Sequence, residues 1–227
     1  MLTEMLQRLH NMLPLLWDGL QTTLLLTVVS LGAATLIGVV FGFLRAYNIF
    51  PFSYFVYAYE KVLRGVPLLV IFLMLWLVPP DLGFRINRLH AAFLGLALRS
   101  AAYQAQIFRG AINSIPRGQV EAAKSLGMSR LEGIQNIILP QVLRLSIPGW
   151  SNEFTIVLKD TSIALAIGIT ELMRRGDQLA VLHSDIVLEI FLLVAAIYFI
   201  IVFSVNKGLG FIEDKYRMKG YEVEVER

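Results

Sequence analysis

Gly19–Leu44 is a run of 26 consecutive uncharged residues bounded by Asp18 and Arg45. A helix of that length exceeds the roughly 20 residues needed to cross a bilayer. Every backbone polar group in hydrocarbon must be satisfied internally, so the segment must be helical or part of a closed barrel. The residues ahead of it, Met1–Asp18, carry Glu4, Arg8, His10 and Pro14 and lack a basic start before a short apolar core. They do not read as a cleaved leader. They read as an interfacial amphipathic segment with Leu6, Leu9, Leu13, Leu16 and Trp17 on the lipid side.

Four further apolar segments follow. Gly65–Pro80 has 16 uncharged residues, and the Tyr-rich stretch Phe52–Tyr59 completes a second span. Leu89–Phe108 forms a third, interrupted by Arg99. Ser146–Ile169 forms a fourth, interrupted by Glu153, Lys159 and Asp160, and Asp185–Val205 a fifth, with Glu189 near its start. The expected fold is an all-α membrane protein of about five transmembrane helices. Residues 1–18 are interfacial, 19–210 form one transmembrane domain with a loop at 114–141, and 211–227 form a tail.

Composition agrees. The chain is 56% hydrophobic and 16% charged, outside the range of ordinary soluble domains. A pI of about 9.2 raises the question of nucleic acid. Cytoplasmic membrane loops carry such a Lys/Arg excess, so no nucleic-acid partner is expected. With no cysteine, disulfides and thiolate sites are excluded, and His10, His90 and His183 lack ligand spacing.

The positive charges set the orientation. Of 20 Lys and Arg, 13 fall on the side of the 114–141 loop and the C-terminus: Arg45, Lys61, Arg64, Arg109, Arg117, Lys124, Arg130, Arg144, Lys207, Lys215, Arg217, Lys219 and Arg227. Five fall opposite (Arg8, Arg85, Arg88, Arg174, Arg175), and Arg99 and Lys159 lie within spans. This places the N-terminus outside and the loop and C-terminus in the cytoplasm. Pro79–Leu89 and Arg174–Ser184 become outer loops, the second with a short helix.

The cytoplasmic loop has sharp helix signals. Ser114 offers a capping hydroxyl and Pro116 suits a first helical position. A helix over 117–126 would end at Gly127 in the left-handed conformation. Ser129 and Glu132 form an S-x-x-E capping box that starts a second helix, and Pro140 is expected to end it. Two polar helices joined at Gly127 make a rigid knob suited to docking something soluble.

Glu121-Ala122-Ala123, Gly127, Ile137 and Leu139-Pro140 resemble the EAA loop of ABC importer permeases at every fixed position. Trp17-Asp18-Gly19 with Thr22-Thr23-Leu24, Arg64-Gly65-Val66-Pro67-Leu68-Leu69 and Ala101–Gly110 are similar to segments of the polar amino-acid permease subfamily. Val66, Ala101 and Gln106 stand where that subfamily has threonine, glycine and glutamate. Ser114-Ile115-Pro116, Asn152-Glu153-Phe154 and Lys159-Asp160-Thr161-Ser162 also match.

The resemblance implies a multi-pass subunit of a prokaryotic inner membrane. It implies a second permease chain, identical or homologous, two cytoplasmic ATPase subunits and an extracytoplasmic amino-acid binding protein as partners, besides membrane lipid. Glu121, Ala122, Ala123, Gly127, Arg130, Leu139 and Pro140 would form the ATPase-coupling surface. No G-x-x-x-x-G-K-[ST] phosphate loop occurs in the chain, so it is expected to be non-catalytic, with ATP and Mg held by the ATPase partner.

Charged residues inside spans are functional candidates by default. Glu153 and Asp160, seven apart, share a helix face, and Thr161 lies near it. They line a translocation path with Arg64 and Tyr103, or else Asp160 pairs with Lys159 or Arg99 to neutralise buried charge. The acidic pair suggests polar cargo, basic amino acids such as arginine, lysine or histidine among it. The rival class is an ion-coupled secondary transporter or channel, which needs no ATPase.

Overall fold

The computed structural model describes residues 2–216, whose regular structure is all helical, with no strand among them. The first helix, α1, runs unbroken over Leu2–Ala46 with Pro14 inside it. The interfacial segment and the first span are therefore one rod. Leu16, expected on the lipid side, is buried with Met12 and Leu20 against the last two helices, whereas Leu13 and Trp17 are exposed. The difference is one of helix rotation: residues three and four apart share a face, and that face found a protein partner.

The second expected span is not one helix. α2 (Phe52–Gly65) and α3 (Leu68–Leu77) meet at 104°. Pro67 causes the break. It has no N–H to continue α2, and it forces Val66 into an extended conformation with ψ of 132°. A short 3₁₀ turn, Pro79–Leu82, opens the loop that leads to the next helix.

α4 (Arg88–Asn113) starts on an Asn87 side-chain cap to the His90 amide. It packs against α1 along most of its length. Gly38 and Gly42 of α1 make this possible: a Cβ on Gly38 would lie 2.6 Å from Gln104 Cβ, and one on Gly42 2.7 Å from Phe108 Cβ. This small-xxx-small pattern lets two membrane helices approach closely without an apolar driving force.

The 114–141 loop contains α5 (Arg117–Ser125) and α6 (Arg130–Gly133). Ser114 does not cap α5. Its hydroxyl donates to the Ala111 carbonyl and closes α4, and Pro116 itself holds the cap position. Pro140 does not end the second helix either. A π-helical stretch, Ile134–Ile138, precedes it, and the helix continues as α7 (Leu139–Leu145). The wider π turn carries the chain past a residue that lacks a donor and whose ring crowds the preceding turn.

α8 (Ile147–Asp160) follows after Ser146. The fourth expected span stops being α-helical at Asp160, where a 3₁₀ stretch over Thr161–Ile167 takes over and ends on left-handed Gly168. α9 (Leu172–Leu182) is the short helix expected over 174–184, starting earlier than expected because Glu171 caps it. α10 (Val187–Tyr216) passes through the fifth span and on into the start of the expected tail. The rest of that tail lies outside the described residues.

Among the described residues two helices, with spans His10–Ala46 and Val187–Tyr216, are long and apolar enough to cross a membrane, and the bent α2–α3 pair has the composition of either a third, broken span or a re-entrant loop. α4 carries Arg88, Arg99 and Arg109, which lower its hydropathy below that of a simple span, and α8, at 14 residues, is too short to cross by itself.

Candidate functional site

The hairpin of α5 and α6 is built by backbone chemistry. Gly127 sits at φ +76°, and the Gly127 and Met128 amides donate to the Lys124 and Ala123 carbonyls at 2.9 and 3.1 Å. These bonds satisfy the end of α5 as a left-handed cap does. Ser129 and Glu132 then form the full capping box, with the Ser129 amide donating to Glu132 Oε2 at 2.8 Å. The Ser129 hydroxyl, and next its amide, hold the Glu132 carboxyl below the usual range.

The hairpin has two faces. Glu121 and Ala122 point outward. So do Leu126 and Leu131, which are 75% and 63% exposed. Ala123 turns inward instead, 6% exposed. A Cβ on Gly133 would stand 3.5 Å from its own. The Arg130 guanidinium lies 5.2 Å from the Tyr47 ring centre at the end of α1. Leu139 is half-buried and Pro140 exposed further along the second arm. Beneath that arm, Ile138 and Val142 pack with Phe108, Ile112 and Ile115 of the α4 end. The sequence pattern missed Leu126 and Leu131 because the EAA positions that carry the resemblance do not include them.

The intramembrane charges converge between α4 and α8. Arg99 Nη1 meets Asp160 Oδ2 at 2.5 Å, with the side chains 24% and 23% exposed. Arg99 also lies 5.2 Å from the Tyr103 ring centre, and Arg64 covers the same ring at 4.9 Å. Glu153 is buried beside them, near Ser100. Arg64, Tyr103, Arg99 and Asp160 thus form one partly exposed row, with Glu153 behind it. Lys159 points away and is exposed.

Thr161 does not join that row. The switch to 3₁₀ geometry breaks the 3.6-residue spacing, and the buried hydroxyl donates to the Leu158 carbonyl at 2.7 Å. It belongs to a second polar knot with Thr23, Glu171 and Tyr198. There Glu171 accepts from the Met173 and Arg174 amides and from the Tyr198 hydroxyl, and Thr23 accepts from the Leu172 amide. The knot ties α1, α9 and α10 to the end of α8.

A third buried charge, Glu60 of α2, also escaped the sequence. Gln106 donates to it at 3.2 Å, and Arg45 stands 3.8 Å away while covering the Tyr57 ring at 4.9 Å. Glu60 follows the Tyr-rich stretch directly and reads there as a flanking charge.

The whole chain is similar to solved and characterised transport proteins. An amino-acid ABC transporter solved with histidines superposes with a TM-score of 0.83 at 32% identity, covering 92% of this chain and 97% of that one. The MetNI methionine ABC transporter, in inward-facing form, shares the fold with a TM-score of 0.76 at 20% identity, covering 92% and 99%. The glutamine transport system permease GlnP of Escherichia coli (strain K12) is 34% identical over 208 residues, 91% of this chain and 94% of that protein. The L-cystine permease TcyB of Bacillus subtilis (strain 168) is 32% identical over 209 residues, 91% and 89%. These likenesses define the class, a helical membrane permease of an amino-acid ABC transporter. The model of the binding-protein-dependent transport system inner membrane components matches residues 34–218, and the chain belongs to that family.

Proposed function

We propose that the chain is one half of the translocation pathway of an ATP-driven importer of polar amino acids in a prokaryotic inner membrane. It crosses the membrane five times, with the N-terminus outside and the hairpin and C-terminus in the cytoplasm. A second permease chain, identical or homologous, faces it. Two ATPase subunits, which hold ATP and Mg, dock on the hairpin, and an extracytoplasmic binding protein delivers cargo.

One observation carries this reading. The hairpin's second arm runs through α6, the π stretch and α7 almost directly into α8, which bears Glu153 and Asp160. A push on Glu121, Ala122, Gly127, Leu126 and Leu131 therefore reaches the charged row through a nearly continuous rod, steered by Ile138 and Val142 against α4. Ala123 and Arg130 act inside the hairpin, stiffening it, while Leu139 and Pro140 set its angle to α8.

The charged row suits an amino acid as a zwitterion. Arg64 and Arg99 match a carboxylate, while Asp160 and the deeper Glu153 match an ammonium, with Tyr103 between. Thr161 supports this row from behind. Arg99 already engages Asp160, so a basic side chain would be carried only where cargo displaces that pair. The permease chain does no chemistry of its own in this scheme.

The test is ATPase stimulation of the reconstituted complex by glutamine, cystine, histidine, arginine, lysine and glutamate presented on the binding protein. Stimulation and uptake with a polar subset are expected. Uptake driven by an ion gradient with no ATPase subunit would overturn the reading in favour of a secondary transporter.

A further inference from the structure

Between the hairpin and the end of α1 lies a cavity of about 350 Å³, lined by Tyr47, Val120, Lys124, Met128, Arg130 and Ile138 among others. Sites for small ligands have volumes of this order. The cavity is on the inner side of α5, away from exposed Glu121 and Ala122. Val120, Met128 and Ile138 give it an apolar floor. No carboxylate lines it, and among the described residues neither Lys124 nor Arg130 forms an ion pair. The Arg130 guanidinium rests over the Tyr47 ring, an arrangement that leaves its N–H donors directed sideways toward an anion.

The cavity lies at the edge of the membrane. The uncharged run Gly19–Leu44 ends three residues before Tyr47. Just beyond it, Phe50, Phe52 and Tyr54 are exposed. Exposed aromatic side chains gather at the membrane–water interface, so the cavity sits at the depth of lipid headgroups. An apolar path leads to it from the bilayer. Val40 and Leu36, seven and eleven residues before Tyr47, share its face of α1 and are 55% and 74% exposed. A ligand that fits both parts has an anionic head and an apolar tail.

We propose that the cavity holds the headgroup of an anionic phospholipid, with its phosphodiester between Lys124 and Arg130 and its acyl chains along Val40 and Leu36. A choline headgroup would bring an ammonium against the same two cations, so the site selects a lipid of net negative charge. Seated there, the lipid ties the hairpin to the end of α1. That it comes from the cytoplasmic leaflet rests on the orientation proposed above; the site itself does not.

The full chain in its native complex, held in nanodiscs of mixed phosphatidylglycerol and phosphatidylcholine without cargo or nucleotide, provides the test. Native mass spectrometry reads the lipid retained. This readout needs no transport, so it stands or falls apart from the importer role. Two cations at a headgroup favour phosphatidylglycerol over phosphatidylcholine by about tenfold. Lys124→Gln/Arg130→Gln, and Val120→Trp, which fills the cavity and keeps both cations, are expected to bring that preference close to parity. Lys124→Arg/Arg130→Lys should keep it, as should Lys207→Gln/Lys215→Gln, which removes two cations of α10. An equal loss in the α10 variant would mean diffuse surface charge and would overturn the site. A preference that survives Val120→Trp would place the lipid outside the cavity and overturn it too. So would displacement of the lipid by added glycerol 3-phosphate, since the ligand would then be a soluble phosphate.

Discussion

At the residue scale, Gly127 and Arg99 are the positions where one side chain decides most. Gly127 adopts φ +76°, where a Cβ is penalised by ~1–2 kcal/mol and a β-branched one by more. Gly127→Val is expected to reduce uptake and cargo-stimulated ATPase at least tenfold while the chain still accumulates in the membrane. Normal coupling at normal abundance would remove the hairpin from the mechanism. Arg99 answers Asp160. Truncating one partner of a buried pair destabilises by roughly 3–5 kcal/mol. With each side chain about a quarter exposed, a loss on the order of 2 kcal/mol is expected for Arg99→Ala. The double variant Arg99→Ala/Asp160→Ala should recover part of that loss in a thermal melt in detergent. Strict additivity of the two single changes would mean the pair is not coupled.

Glu132 makes a pH-dependent contribution. Its folded pKa is lowered by Ser129, so its capping contact is present above the unfolded carboxylate range and is lost as pH falls through the folded value. Amide exchange at Ser129, corrected for its intrinsic pH dependence, should therefore accelerate on acidification and stay flat in Glu132→Gln.

At the element scale, the α1–α4 contact is the main organiser of the bundle. Gly42→Leu puts a side chain where Phe108 Cβ and the Ala105 carbonyl already stand, 2.7 and 3.1 Å from the first added carbon. Low membrane abundance and a lowered melting temperature are expected. Gly32, on the same helix, has nothing within 4 Å of an added Cβ. Gly32→Ala should be neutral or stabilising by up to ~1 kcal/mol. If both variants behave alike, the close approach of α1 and α4 is not what holds them. The π stretch before Pro140 sets the angle between hairpin and α8. Pro140→Ala allows a regular helix and is expected to lower uptake per ATP hydrolysed, measured on one preparation, without lowering abundance.

At the scale of the whole molecule, the structure is a rod-and-knob device. The outer knot of Thr23, Thr161, Glu171 and Tyr198 and the inner cluster of Arg45, Glu60 and Gln106 bracket the charged row. Buried polar groups rigidify their surroundings when satisfied, as the Glu171 carboxylate is, whereas Arg45 Nε and Glu60 Oε1 make no hydrogen bond and hold together by charge alone. Motion delivered at the hairpin then concentrates between the brackets, at Arg99 and Asp160. Glu171→Gln keeps an acceptor for Tyr198 and weakens the cap. Near-normal abundance with reduced binding-protein stimulation of ATPase is expected, and unchanged stimulation would limit the knot to a packing role.

Local chemistry and composition settled much of this from the sequence. A 26-residue uncharged run has to be helical in a membrane. Gly127, the capping box and the EAA spacing are short-range features, determined by residues within a few positions of each other. The elements that escaped depend on partners distant in the chain. Which face of α1 is buried, and so the place of Leu16, depends on α9 and α10. Ser114 and Pro140 are exceptions, decided locally by the Ala111 carbonyl and by the π stretch just ahead of the proline. Whether Asp160 faces cargo or Arg99 depends on a contact 61 residues away. A charge in an apolar run declares that it must be paired, because hydrocarbon penalises it unpaired. Only the tertiary structure selects the partner, because pairing energy depends on distance and burial, and neither is a property of sequence separation.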